Sequence, residues 1–261
     1  MAWRSGLAGS FAGLLQVIFF MWIRTVMNVQ YIRGGSFCTV LRRLWRNGGI
    51  KRLYTGFSFA LIQNPAIRFG DTAVNSGGLL LLREWLPSSN ILVRTVLTTM
   101  LGSFWRLLLT PIDMLKTLYQ VHGDDGTMIL RSFSKSRGIL RTFWSGTLAI
   151  LAAGWLGIYP WFATFNFLQE HLPAFGSKRI FHHIRSAFIG FSASFVSDSL
   201  TNGLRVIKSI AQTTEQKGYL FIKRSEMKRD NMINFITRGL STRLCINSIQ
   251  SIFFVVVWKA M

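Results

Sequence analysis

Two kinds of marker residue recur along this chain at an interval of about ninety residues. Glutamines that close apolar helical segments are 90 and 92 residues apart, at Gln30, Gln120 and Gln212. Glycines that open the next apolar segment are 90 and 93 residues apart, at Gly56, Gly146 and Gly239. Self-similarity at a fixed period is the signature of a repeat architecture. The sequence therefore predicts three tandem copies of one unit, at residues 1–88, 89–175 and 176–261.

The apolar composition predicts that these units lie in a membrane. Half of the residues are apolar and only 15% are charged, which is unusual for a soluble domain. Residues 6–23 and 147–168 carry no charge, and at about 1.5 Å per residue each nearly crosses a hydrocarbon core about 30 Å thick. Each repeat reads as a long helix, a basic loop with a short amphipathic helix, and a second long helix. We predict an all-α membrane protein with six transmembrane helices in three pseudo-three-fold repeats and both termini on one side.

The charged residues exclude several other classes of protein. Thirty basic residues against ten acidic ones give a net charge of +20, but the basic residues fall in short segments between spans. This placement is typical of loops that face the negative side of a membrane, so we expect no nucleic-acid partner. Cys38 and Cys245 form no metal-binding or disulfide pattern. Because no catalytic set or phosphate-binding glycine loop is present either, we expect neither an enzyme nor a cofactor.

Residues 111–120, PIDMLKTLYQ, resemble the signature of the mitochondrial carrier family: a proline, any residue, an acid, two residues and a base. The segments at 52–57, 142–147 and 236–244 are similar to the family at its own spacing. The runs at 157–173 and 197–209 resemble a carrier subfamily of fungi, algae and protists. The resemblance covers the whole chain. It implies a multi-pass protein of the mitochondrial inner membrane, with both termini toward the intermembrane space and an alternating-access mechanism.

The resemblance also implies a gate on the matrix side, closed by ion pairs between the acid of one repeat and the base of the next. The positions of the motif in the three repeats are Met21, Pro111 and Gly203 for the proline, Ile23, Asp113 and Arg205 for the acid, and Val26, Lys116 and Lys208 for the base. Only the pair of Asp113 with Lys208 can form. Arg205, Lys116 and Lys208 leave a surplus of positive charge at this mouth. In the alternative interpretation, Asp113 has only the structural role of neutralising two bases.

The positions that the family uses for its other gate and for its substrate are largely neutral here. The cytoplasmic network is reduced to Phe165, Asn166 and Gln169 in the second repeat, Trp258 and Lys259 in the third, and Asp71, out of register, in the first. No ring of ion pairs can close from these residues. The contact points for substrate correspond to Gln63, Ala153, Gly154, Ile246 and Asn247. Since none is basic, the sequence disfavours a conventional nucleotide or dicarboxylate site.

One polar layer stands out in the spans. Gln16, Arg106 and Asp198 lie seven residues before the acid positions, a spacing that returns to the same helix face about 10 Å away. We expect these three side chains to form the polar centre of the cavity. In the alternative interpretation, Arg106 and Asp198 form an ion pair that only makes two intramembrane charges tolerable.

Two hypotheses for function follow. The first is a carrier of an unidentified small metabolite with degenerate gate motifs. The second is a carrier fold without transport activity, serving as an accessory or structural subunit of a large respiratory-chain or other inner-membrane complex. Under both hypotheses we expect inner-membrane lipid, cardiolipin above all, to bind the chain. The residues expected at the lipid sites are Gly56, Gly146, Gly239 and Arg238.

Overall fold

A computed structural model describes residues 2–85, 91–173, 179–215 and 231–260. The side chains of Trp258 and Lys259 are outside the described residues. The helices are α1 (Ala2–Arg33), α2 (Phe37–Arg46), α3 (Gly49–Leu53), α4 (Phe57–Trp85), α5 (Ile91–Leu108), α6 (Thr110–His122), α7 (Gly126–Arg137), α8 (Ile139–Phe143), α9 (Thr147–His171), α10 (Arg179–Thr213), α11 (Met232–Thr237) and α12 (Leu240–Ala260), with a 3₁₀ turn at Gly123–Asp125. No strand occurs in these four ranges. The predicted all-α class is confirmed for the described residues.

The long helices form a closed ring. Going around it, α1 packs on α4, α4 on α5, α5 on α9, α9 on α10, α10 on α12, and α12 on α1. At one end of the ring α1, α6 and α10 also contact one another. There the Asn28 side-chain amide on α1 donates a hydrogen bond to Gln120 Oε1 on α6 at 2.5 Å. The ring therefore narrows where α6 converges with the C-terminal halves of α1 and α10.

The repeat glycines have equivalent surroundings at this narrow end. Gly56, Gly146 and Gly239 have φ of 82°, 84° and 64°, a conformation that side chains other than glycine rarely adopt. A Cβ on Gly56 would lie 3.1 Å from the Lys116 carbonyl oxygen, and one on Gly146 would lie 3.2 Å from that of Lys208. In the third repeat the nearest atom, at 3.0 Å, belongs to the Tyr31 ring on α1. Each glycine thus lets its repeat approach the first long helix of the next repeat.

The signature proline interrupts a helix in one repeat only. Helix α5 ends at Leu108 and α6 begins at Thr110, so Pro111 occupies the first turn of α6, where its missing N–H costs no hydrogen bond. At the equivalent positions Met21 and Gly203 lie inside the uninterrupted helices α1 and α10. Among the described residues, the proline-induced break that the resemblance implies is therefore confined to the second repeat.

The short helices lie beside the narrow end and fit the predicted amphipathic pattern. Helix α2 buries Val40 and Leu44 and exposes its three arginines at positions 42, 43 and 46. The Arg52 guanidinium on α3 donates to the carbonyl oxygens of Gln120 and Val121 at 2.9 and 2.7 Å. Arg52 thereby satisfies carbonyls at the end of α6 that have no partner within the helix.

Two stretches of the described chain, Gly9–Arg33 and Ile139–His171, are long and apolar enough to cross a membrane by length and composition. A shorter apolar helical segment covers Val96–Leu108. The first overlaps the charge-free run 6–23, and the second contains the run 147–168. The predicted number of six spans stays a prediction.

Candidate functional site

A cavity of about 350 Å³ lies inside the ring and is lined by residues of α1, α4, α5, α6, α9, α10 and α12. Its lining is strongly basic. The cationic side chains are Arg24, Arg68, Arg106, Lys116, Arg205, Lys208 and Arg243. Two carboxylates, those of Asp71 and Asp113, line the same cavity. The lining therefore carries an excess of positive charge that these two carboxylates do not balance.

Asp113 is the centre of the polar network at the narrow end of the cavity. Lys208 Nζ lies 2.5 Å from Asp113 Oδ2, and Lys116 Nζ lies 3.1 Å from Oδ1. The amides of Gln63 and Gln212 donate to the same two oxygens at 3.0 and 3.1 Å. One carboxylate thus connects α4, α6 and α10. The inter-repeat pair of Asp113 with Lys208, which the sequence left as the one that could form, is present in the structure.

Asp198 holds a second network between α10 and α12. Its Oδ1 lies 2.9 Å from Arg243 and 3.3 Å from Arg205, and its Oδ2 accepts a hydrogen bond from the Asn247 amide at 2.6 Å. Arg205 occupies the position at which the family has its acid. The carboxylate two helical turns earlier therefore neutralises Arg205 and also binds a cation of the neighbouring helix.

Arg106 pairs with Asp71 and not with Asp198. Arg106 Nη2 and Nε donate to the two oxygens of Asp71 at 2.6 and 3.1 Å. The side chains of this pair are 43% and 26% exposed, so water reaches it more easily than it reaches Asp113. The Arg106–Asp198 pair of the alternative interpretation is therefore wrong. Asp71, which is out of register by sequence, supplies the carboxylate because Asp198 is already occupied on the other side of the ring.

Arg24 is bound by two neutral side chains. Its Nη1 donates to Asn64 Oδ1 at 2.8 Å and its Nη2 to Gln250 Oε1 at 2.6 Å. These contacts join α1 to α4 on one side and to α12 on the other. Because the amides bring no negative charge, they hold the guanidinium in place against the cavity without neutralising it.

The predicted polar layer is only partly at the cavity. Arg106 lines it, but Gln16 and Asp198 are not among the lining residues, and this part of the prediction is corrected. Gln16 is fully buried; its amide donates to the Gln250 carbonyl oxygen at 3.2 Å, and its Oε1 accepts from Arg68 at 3.2 Å. Its side chain is used in packing between helices. The helix period placed the three residues correctly along their helices but did not show which face neighbouring helices cover.

The five predicted contact points all line the cavity. They are Gln63, Ala153, Gly154, Ile246 and Asn247. The basic groups that sequence reasoning missed come from nearby positions: Arg24 follows the acid position of the first repeat, and Arg243 lies one helical turn before the contact point of the third. An ionisable residue within an apolar span is itself a signal for a lumen-facing site, and this signal could have identified both arginines.

The narrow end holds the other predicted residues. Pro111 lies in the first turn of α6, five residues before Lys116, and the repeat glycines contact the neighbouring repeat there. Arg238 is buried and lies over the Phe235 ring at 5.4 Å. The lipid sites expected at the three glycines and Arg238 stay predictions.

Helical bundles build their ligand sites between facing helices, and the basic cavity of this chain lies between the helices of its ring. The family model described as mitochondrial carrier protein matches residues 1–75 of the chain. This match supports membership of the chain in the mitochondrial carrier family. Proteins of that family are multi-pass transporters of the mitochondrial inner membrane rather than enzymes. No curated protein matches this sequence.

Proposed function

We propose that this chain carries a small organic anion across the mitochondrial inner membrane by alternating access. The observation that carries the proposal is the excess of cationic side chains in the cavity: seven line it, against the carboxylates of Asp71 and Asp113 and that of Asp198, which pairs with Arg205 and Arg243 from outside the lining. Buried cations without sufficient counter-charge are costly, and an anionic solute would reduce that cost by binding among them. The neutral side chains at the predicted contact points argued against an anion, but basic side chains, among them those of Arg24 and Arg243, line the same cavity as these contact points.

The proposal includes six membrane spans, in the three repeats 1–88, 89–175 and 176–261. Hydropathy alone identifies two spans because the remaining long helices carry ionisable residues. Several of those residues, such as Arg68 on α4 and Arg243 on α12, line the internal cavity, where a membrane protein tolerates charge. Helix α12 has 21 residues, enough for a core about 30 Å thick at about 1.5 Å per residue. We further propose that both termini face the intermembrane space.

We propose that the narrow end is the closed matrix gate. Support comes from the convergence of α1, α6 and α10 there and from the pair of Asp113 with Lys208, which crosses from the second repeat to the third. Opening toward the matrix would require this pair to break. The network of Asp198 with Arg205 and Arg243 lies within the third repeat, so it can move as a unit and is assigned no gating role.

Uptake by proteoliposomes tests the function. We expect the purified chain to exchange members of a panel of radiolabelled mono-, di- and tricarboxylates and phosphates, and not cations such as lysine or choline. Arg24→Gln should reduce exchange at least tenfold. The matched control is Arg42→Gln, which removes a charge from the exposed face of α2 and should leave exchange unchanged. Folded protein that exchanges no anion, or Arg24→Gln protein that exchanges as fast as the control, contradicts the proposal.

The accessory-subunit hypothesis is favoured by no specific observation on the described residues. A lumen filled by side chains would have supported it, whereas a cavity of about 350 Å³ remains among these helices. Native electrophoresis in mild detergent separates the two hypotheses. We expect a species near the mass of a monomer, and migration only within a very large assembly would favour the accessory role.

A further inference from the structure

A second cavity, of about 400 Å³, lies between α4, α5, α9 and α10. It adjoins the basic cavity, since five residues line both: Asp71, Arg106, Ala153, Gly154 and Arg205. The Arg106–Asp71 ion pair therefore stands at the boundary between the two. We call the second space the uncharged cavity, because its remaining lining side chains have no charge: Val74, Thr98, Thr99, Gly102, Ser103, Gly157, Trp161, Phe162 and Ser197.

Aromatic rings and small residues give the uncharged cavity its shape. Trp161 stacks on Phe165 with ring centroids 5.0 Å apart and planes 11° from parallel, and its indole N–H donates to Ser194 Oγ at 3.3 Å. These contacts fix the indole at the cavity wall. The hydroxyls of Ser103 and Ser197 donate to backbone carbonyls at 2.9 Å. They are therefore satisfied by their own bundle and leave a wall suited to an apolar or planar group.

Gly102 leaves room in this wall. A Cβ built on Gly102 would meet no atom within 4 Å outside its own helix. Nearby, Gly154 is also a lining glycine, with Ser103 Oγ 3.5 Å from its built Cβ. The space at Gly102 is thus a property of the cavity and not of a tight helix contact.

We propose that the uncharged cavity binds the uncharged body of the organic anion whose charged end is held in the basic cavity. This inference rests on the proposed function and specifies its substrate class: an organic anion with charge at one end and an aromatic or aliphatic body of several carbons. The Arg106–Asp71 pair marks the passage between the charged and uncharged ends. Burial of a phenyl-sized body strengthens binding by roughly 10- to 100-fold over an anion without one.

The probes are acetate, 3-phenylpropionate and the neutral 3-phenylpropionamide, added to the full chain in mild detergent. Binding is measured from the rise in Tm with concentration, because a ligand of the folded state stabilises it by mass action. We expect 3-phenylpropionate to bind at least tenfold more tightly than acetate and than the amide. Gly102→Leu fills the uncharged cavity and should remove the advantage over acetate while leaving the response to acetate intact.

Gly190→Leu is the matched control. A Cβ on Gly190 also meets nothing within 4 Å, but Gly190 lines neither cavity, so this variant should behave as the parent chain. If Gly102→Leu protein keeps the preference for 3-phenylpropionate, or weakens both anions equally, the inference is overturned and the anion-carrier proposal stands. If the parent chain responds to neither anion, or no better to 3-phenylpropionate than to acetate or the amide, the inference is overturned as well, whereas the anion-carrier proposal fails only if the folded chain exchanges no member of the anion panel.

Discussion

Asp113→Asn is the substitution whose effect the structure predicts most sharply. The Asp113 carboxylate is 9% exposed and contacts two ammonium groups, those of Lys116 and Lys208, which are 13% and 22% exposed. Replacement by asparagine leaves both lysines without their carboxylate. Removal of one partner of a buried ion pair costs about 3–5 kcal/mol, because the remaining charge is buried and unpaired.

Lys208→Gln should cost much less, although it removes a partner of the same pair. Asp113 would still lie 3.1 Å from Lys116 and would keep the hydrogen bonds from Gln63 and Gln212. The loss is then comparable to that of one charged hydrogen bond, about 1.5–3 kcal/mol at most. The double variant Asp113→Asn with Lys208→Gln leaves a single cation without its carboxylate and should therefore be less destabilised than the sum of the two single variants.

Thermal unfolding in mild detergent measures these differences. For a chain of this length about 1 kcal/mol corresponds to about 2–4 °C in Tm, so Asp113→Asn should lower Tm by about 6–20 °C. Asp124→Asn, in the exposed 3₁₀ turn, is the control and should shift stability by less than about 0.5 kcal/mol. Equal losses from Asp113→Asn and Lys208→Gln, or single losses that add to within about 0.5 kcal/mol in the double variant, would refute the reasoning.

Three further predictions concern the cavity, the repeat contacts and pH. Arg24→Gln should lower the apparent affinity for 3-phenylpropionate at least tenfold in the Tm titration, whereas Arg42→Gln should not change it. Gly146→Ala should destabilise the chain more than Gly138→Ala: both glycines have positive φ, but only the alanine at 146 also meets Lys208 and Gln212; equal losses would mean that backbone strain alone matters. Burial lowers the pKa of His122, and the positive charges of Arg33 and Arg52 lower it further. The hydrogen bond to the Thr213 carbonyl and the charge of Asp125 oppose this shift. Because His122 then binds a proton at a higher pH in the unfolded chain than in the folded chain, Tm should fall as pH drops below about 6.5. His122→Gln should reduce that dependence of Tm on pH.

The sequence predicted the features of the site that depend on spacing along one chain. The ninety-residue interval placed Gly56 and Gly146 at equivalent contacts between neighbouring repeats. The family motif identified the pair of Asp113 with Lys208, and the offset from the repeat glycines placed Gln63 and Asn247 at the cavity. These positions follow from helix period and repeat length, which a single sequence contains.

The features of the site that the sequence did not predict depend on which faces of each helix are covered by neighbouring helices. Arg243 reaches Asp198 from another helix, and Asp198 therefore does not form the pair with Arg106 that the alternative interpretation assigned to it. Gln16 has the same helix phase as Arg106, yet α12 covers it through the Gln250 carbonyl. Neither the side on which a neighbouring helix packs nor the reach of an arginine side chain can be read from periodicity.

The polar contacts across the three boundaries between repeats differ in charge, and this difference bears on how an anion would act. An ion pair joins the second repeat to the third through Asp113 and Lys208, and another joins the first to the second through Asp71 and Arg106. Between the third and the first, Arg24 is held by the neutral Gln250 amide. A bound anion would therefore gain most at Arg24, to which none of the described residues brings a carboxylate contact, and would compete with Asp71 and Asp113 at the other two boundaries. A ligand shifts a conformational equilibrium only by its differential affinity for the two states. In the proposed cycle we therefore expect the anion to favour the state in which the two inter-repeat ion pairs are loosened and Arg24 keeps its contact with the solute.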